Sequence, residues 1–255
     1  MAYVQSDAIL LKKEQLNKTS YRFTLKSDVI ATIGTAGQFV HIRCGENILR
    51  RPISICRFDR NHNCFDIVFE VRGEGTKWLS QCNVDDKIDV LGPLGRGFET
   101  EIEGKALLIG GGIGTPPMLG VANELNGNCD AILGFRNVDV AMLIEDFMDA
   151  CDDVTIMTDD GTMGEKGFVT TPLVKLIEKN NYSTIYACGP TPMLKAISEI
   201  AIKNGVECFV SLEERMGCGI GACLVCACKT KQGDKESFTH VCKDGPVFRA
   251  EEVVW

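Results

Sequence analysis

The stretch Ala106-Leu-Leu-Ile-Gly-Gly-Gly-Ile-Gly-Thr-Pro-Pro-Met118 decides how this 255-residue chain folds. A short apolar run, Ala106–Ile109, reads as a buried strand. It stops at Gly110, Gly111, Gly112 and Gly114, and a helical pattern follows. Strand, glycine loop and helix N-terminus together form a phosphate cradle, because backbone N–H groups point outward and the helix dipole favours an anion. A sharp turn with no ligand would use the same glycines. Downstream, Ala131–Leu133, Val154–Met157 and Thr184–Ala187 are further apolar runs. Helical patterns lie at about 116–126, 140–150, 168–180 and 191–204. Such alternation predicts a doubly wound parallel α/β sheet.

Two details refine this region. The strict dinucleotide fingerprint wants an acid after the second strand. Here that strand ends Leu133-Gly-Phe-Arg136-Asn137, so a standard Rossmann dehydrogenase is excluded. Ala187-Cys188-Gly189-Pro190-Thr191-Pro192-Met193 is a second strand–turn–helix element. Both turns fall at the carboxyl ends of strands, where open α/β sheets bind ligands.

Upstream, Gly92-Pro-Leu-Gly-Arg-Gly-Phe98 breaks helix and strand alike and marks a domain boundary. Before it, Tyr21–Leu25, Gln38–Arg43 and Cys64–Val71 read as short strands of a small antiparallel barrel. Thr76–Cys82 reads as its one helix. In Arg50-Arg51-Pro52-Ile53-Ser54-Ile55, Arg51 can hold a pyrophosphate bidentately and Ser54 offers a hydroxyl to a ring nitrogen. An edge strand with one solvated Arg is the plainer reading. Arg72-Gly-Glu-Gly75-Thr76 opens the helix and is another candidate phosphate site.

Beyond residue 207 the alternation ends in a Cys- and Gly-rich tail, too small for a core of its own. Of 13 cysteines, five fall between Cys218 and Cys242. Cys218, Cys223 and Cys226, with Cys242 further on, give C-x4-C-x2-C…C, the plant-type spacing for a [2Fe–2S] cluster. A zinc site would favour two short pairs, and unligated thiols are the third possibility. Cys228 reads as a small buried residue, His41 as packing and His240 as a neighbour of the cysteine site. No Ser-His-Asp pattern occurs, and no acid–base catalytic residue is expected. Domains of 1–99, 100–206 and 207–255 follow.

Composition narrows the field. A net charge of −8 disfavours nucleic acid as a partner. Three histidines exclude a His-rich metal site. No apolar run is long enough to span a membrane. No secretory leader is read at the N-terminus, so cytoplasmic thiols are expected rather than disulfides.

The order R-P-x-S, G-x-G-T, G-G-G-I-G-x-x-P, C-G-P-x-x-M, C-x4-C-x2-C…C resembles the ferredoxin–NADP reductase superfamily. Within it, the whole chain is most similar to the electron-transfer subunits of NAD-dependent (class 1B) dihydroorotate dehydrogenases. Arg51–Ile55, Gly110–Met118, Glu213–Cys223 and Cys242–Phe248 carry the likeness. Ile53 replaces the aromatic residue common elsewhere in the superfamily, and the gap before Cys242 is shorter than in plant-type ferredoxins.

The resemblance implies FAD on the barrel, held by Arg51, Pro52, Ile53 and Ser54. Val68, Phe69 and Glu70 would line it, and Gly75 and Thr76 would cap its phosphate. It implies NAD over Gly110, Gly111, Gly112 and Gly114, and Cys188, Gly189 and Pro190 near the nicotinamide. Cys218, Cys223, Cys226 and Cys242 would bind the [2Fe–2S] cluster. The implied partner is an FMN-containing catalytic subunit, two plus two, serving pyrimidine (UMP) biosynthesis. Electrons would leave near the cluster loop. A reductase feeding another redox system, or a zinc-stabilised nucleotide-binding module, are the competing readings.

Overall fold

The computed structural model describes residues 3–255. Six strands form the first unit: β1 (Val4–Gln15), β2 (Ser20–Lys26), β3 (Phe39–Ile42), β4 (Arg51–Asp59), β5 (Cys64–Glu70) and β6 (Lys87–Leu94). They close in the order β1-β2-β5-β4-β3-β6, every pair antiparallel. Alternation sets the core. Val40 and Ile42, Phe65 and Ile67, and Ile88 and Val90 face inward and are fully or almost fully buried.

Two helices belong to this unit, not the one expected. Besides α2 (Glu74–Gln81), α1 (Asp28–Ile33) follows β2. The Ser27 hydroxyl caps it by accepting from Ile30 N. Six residues are too few for helical periodicity to register, so the cap was its only sequence signal.

The second unit contains β7 (Lys105–Gly111), α3 (Thr115–Glu124), β8 (Gly127–Phe135), α4 (Ile144–Ala150), β9 (Cys151–Thr158), β10 (Glu165–Lys166), α5 (Thr170–Lys179), β11 (Tyr182–Cys188), α6 (Thr191–Lys203) and β12 (Glu207–Ser211). Then come the hairpin β13 (Ala227–Gln232) and β14 (Lys235–His240), and β15 (Val247–Arg249). The sheet order is β10-β9-β8-β7-β11-β12-β15, with only β15 antiparallel. Leu107 and Ile109 face α5 and α6, whereas Ala106 and Leu108 face α3 and α4. Helices on both faces explain why these strands read as continuous apolar runs.

Two expectations shift here. The helix expected over 140–150 starts only at Ile144, after a 3-10 turn at Val138–Val140. Residue 207, expected to open a separate tail, is the first residue of β12, which pairs with β11. The C-terminal β15 returns to the same sheet edge. The cysteine-rich segment is therefore an excursion from the sheet, anchored at both ends.

The units are tightly joined. Arg22 Nη1 donates to Asp146 Oδ1 at 2.6 Å, linking barrel to α4. Glu124 at the end of α3 accepts from Ala36 N and Thr100 Oγ1. Arg96 N donates to Gly245 O at 2.6 Å, docking the C-terminal segment on the barrel. No helix among the described residues is long and apolar enough to cross a membrane.

Candidate functional site

The barrel presents Arg51 and Ser54 on β4. Ile53 turns into the barrel core, while Arg51, Pro52 and Ser54 stay half-buried. The Arg51 side chain donates to Leu49 O at 2.6 Å and lies on Gly75. A Cβ at position 75 would stand 2.6 Å from Arg51 Nε. Glycine is required there so that a guanidinium can lie over the start of α2, and both features attract an anion. Thr76 Oγ1 accepts from Arg72 N and Gly73 N, so this hydroxyl closes the turn. Val68 packs in the seam with the second unit, and Phe69 stacks edge-on to Phe23 inside the barrel. Phe69 thus turns its ring into the barrel, whereas Val68 faces out of it. Glu70 accepts from Arg72 Nε at 2.7 Å.

A cleft of about 470 Å³ separates Leu49–Pro52 from Glu213–Met216. In the sequence, residues 213–216 stand out only as part of a family likeness. They become a wall of this cleft because β12 ends at Ser211 beside the barrel.

The second place is the point where strand order reverses, between β7 and β11. Gly110 and Gly111 end β7, and Gly112–Gly114 form a 3-10 turn before α3 begins at Thr115. The glycines do different jobs. A Cβ at 110 would stand 2.8 Å from Thr115 Cα, and one at 114 would stand 2.6 Å from Gly189 N. The Gly loop and the Cys188–Pro190 turn thus pack backbone on backbone. Gly112 instead has φ +53° and open space where its Cβ would be. Its face is where a phosphate has room.

Cys188 ends β11. Burial pushes its thiol up to about 12 despite the contact with Ser211, so it is neutral across the physiological range. Arg136 follows β8 and is exposed. Two acids follow the next strand, just past Thr158. Asp159 N donates to Phe135 O at 3.1 Å, and Asp160 follows. Pairing of β8 with β9 was the information the sequence pattern lacked.

The third place is the cysteine loop. Ile220, Ala222 and Cys223 direct their N–H groups at Cys218 Sγ, at 3.2–3.5 Å. Gly221 N donates to Cys242 Sγ at 3.1 Å, and Cys242 N to Cys226 Sγ at 3.4 Å. Burial opposes ionisation of Cys218, but these backbone donors and the Cys223 thiol outweigh it and bring Cys218 down to about 6. Cys218 thus gathers the loop's donors, while Cys242 is tied to the loop by Gly221 N and to Cys226 by its own N–H. Among the described residues no three His, Cys, Asp or Glu side chains converge as one metal ion's ligand set. Sulfurs fed by backbone N–H donors at the C-x4-C-x2-C…C spacing fit a two-iron cluster, in which each iron takes two thiolates. They fit a single tetrahedral zinc poorly. Cys228 lies outside this group, on the hairpin, with its Sγ 3.4 Å from Thr239 Oγ1.

His41 lies beneath the loop. It is fully buried, and neither ring nitrogen completes a hydrogen bond. Burial and the Arg50 charge lower it to about 4, so the ring is neutral. A buried polar group left unpaired costs about 1–3 kcal/mol.

A family model described as the iron–sulfur cluster binding domain of dihydroorotate dehydrogenase B matches residues 213–254. The chain is 42% identical to the Fusobacterium nucleatum protein named dihydroorotate dehydrogenase B (NAD(+)), electron transfer subunit, over 97% of both chains. It is 45% identical to the protein of that name from Bacillus pumilus, over 91% of this chain and 92% of that one. Among solved structures, that of an NADH-dependent reduced ferredoxin-NADP oxidoreductase superposes with a TM-score of 0.88. It is 33% identical and covers 98% of this chain and 90% of that one.

Proposed function

Because the chain belongs to the family of dihydroorotate dehydrogenase B electron transfer subunits, we propose that its three places form one electron route between NAD and a catalytic partner. The observation that carries this is adjacency. Pro52, in the strand that would hold the flavin, pairs with His41, and His41 packs against Gly219 of the cysteine loop. One layer of side chains separates flavin strand from cluster loop.

When bound, FAD exchanges two electrons with NAD(H) and one at a time with a [2Fe–2S] cluster. The chain's own residues set distance and environment. Arg51 and the start of α2 hold a pyrophosphate, with Gly75 keeping the guanidinium in place. Ser54 gives a hydroxyl to the flavin ring, and the backbone of Val68–Glu70 borders it. The face of Gly112 receives the pyrophosphate of NAD. Cys188 brings a neutral thiol to the nicotinamide side. Asp159 and Asp160, at the far end of the strand order, suit a ribose 2′-hydroxyl and repel a 2′-phosphate, which favours NAD over NADP. Cys218, Cys223, Cys226 and Cys242 hold the cluster.

Cys223 is exposed, and around it Ile220, Leu224 and Val225 are apolar and exposed. This is the surface on which we seat the FMN-containing catalytic subunit, in a two-plus-two assembly acting in cytoplasmic pyrimidine biosynthesis. Such an apolar patch around an exposed cysteine suits a partner that excludes water on docking.

The test is the visible spectrum of anaerobically purified chain before and after NADH. Flavin bands with a broad iron–sulfur shoulder, both bleached by NADH, are expected. A colourless protein containing zinc would overturn the reading.

A further inference from the structure

We propose that His41 is a positioning residue for the cluster: its imidazole holds Cys218 and Gly219 of the cysteine loop at a set height over the barrel wall. The proposal rests on the reading of the loop as a cluster site and deepens it.

The placement follows from strand alternation. Val40 and Ile42 face the barrel interior, so His41 between them faces outward. An outward residue on a small barrel is ordinarily wet. His41 is fully buried because the cysteine loop lies on it. A Cβ at position 219 would stand 2.7 Å from His41 Nδ1, and Gly219 has φ +75°. Leu94 closes the side, and the imidazole faces the backbone of Cys218 and Arg50.

The strand beneath is locked. Arg50 Nη1 donates to His41 O at 3.1 Å, and Arg50 Nη2 donates to both Asp89 carboxylate oxygens at 2.8 Å. The ring therefore sits on a rigid base with both nitrogens unpartnered under a glycine-rich loop.

Packing alone does not account for this choice of residue. A leucine or phenylalanine would fill the same space without orphaned nitrogens, whereas an imidazole gains only if the loop answers it. On the loop side the ring faces the backbone of Cys218, whose sulfur already gathers three N–H donors. A ring N–H directed at that backbone would orient the residue that begins the ligand set, as outer groups orient metal ligands elsewhere.

The experiment compares His41→Leu, His41→Phe and His41→Gln in the full chain co-produced with its catalytic partner. Two quantities are read: the rate of iron loss to a chelator, and the electron paramagnetic resonance g-values of the dithionite-reduced protein. Bound flavin reports that the barrel is folded. Loss of iron about tenfold faster in H41L, with shifted g-values, and restoration of both in H41Q are expected. H41F reads the same two quantities if H41L does not accumulate. Wild-type iron retention and g-values in an apolar variant would overturn the proposal, as would faster iron loss that H41Q fails to restore. A wild-type protein without iron and sulfide would overturn the cluster reading itself, which separates the two failures.

Discussion

Arg22 in β2 and Asp146 in α4 meet at 2.6 Å across the seam between barrel and nucleotide-binding unit. The Arg22 side chain is mostly shielded from water and also reaches Glu14 at 3.3 Å within the barrel. On the proposed placement of flavin and nicotinamide on opposite sides of this seam, the pair helps fix the distance between them.

Replacing Asp146 with Ala leaves a partly buried guanidinium with one acceptor fewer. The expected cost is about 1.5–3 kcal/mol in the unfolding free energy. Reduction of flavin by NADH in stopped flow should also slow. Glu14→Gln, on the more exposed partner within one unit, should cost less and leave that rate unchanged. Equal effects from both would place the seam's stiffness elsewhere.

The contact between Gly75 and Arg51 makes a second expectation. Gly75→Ala adds a methyl 2.6 Å from Arg51 Nε and displaces the guanidinium. Arg51→Ala removes it. Each should weaken FAD binding by about tenfold, measured by fluorescence titration of flavin-stripped protein. Since both act through one contact, the double variant should be no worse than the worse single. Additive losses would show that Arg51 does not hold the ligand from this position.

The glycines of the 110–114 loop should separate by role. Gly112→Ala meets no atom, but φ +53° costs about 1–2 kcal/mol for a residue with a Cβ. Its methyl stands in the open space assigned to the pyrophosphate, so KM for NADH should rise. Gly114→Ala drives a methyl into the backbone of Cys188 and should destabilise the chain by ~3 kcal/mol or more. Thermal melts and NADH titrations in parallel decide it. An unchanged KM in G112A would remove the loop from the nucleotide site.

The cysteines offer the sharpest contrast. Cys223→Ser should abolish iron and sulfide incorporation and delivery of electrons to the partner. Cys228→Ser should keep both, because the Cys228 sulfur faces Thr239 on the hairpin. Iron and sulfide assays with visible spectra read this directly. A cluster that survives C223S and is lost in C228S would exchange the two residues' roles.

Legibility followed the range of the interactions involved. Strands β2, β5, β7 and β8 were readable because each carries its burial pattern in a few consecutive residues. Helix α1 was missed because six residues hold too little periodicity. The tail from 207 was read as separate because a cysteine-rich, turn-rich stretch gives no sign that Glu207–Ser211 and Val247–Arg249 pair at one sheet edge. The family resemblance sets Phe69 beside the flavin. Alternation along β5, once its register is known, turns its ring into the barrel.

By itself the sequence determined which chemistry is available: the glycine loops, the Arg-Pro-Ile-Ser strand and the spacing of four cysteines. These depend on residues close together in the chain, where backbone geometry leaves few choices. Only the tertiary structure decided which backbone N–H groups feed the cysteine sulfurs, why Gly114 admits no side chain and Gly75 lies under Arg51, that Asp159 meets the end of β8, and that His41 is buried under the cysteine loop. Each of those is a contact between distant segments. Their register is set by how the barrel, the sheet and its returning C-terminal strand pack together, and no local pattern encodes that packing.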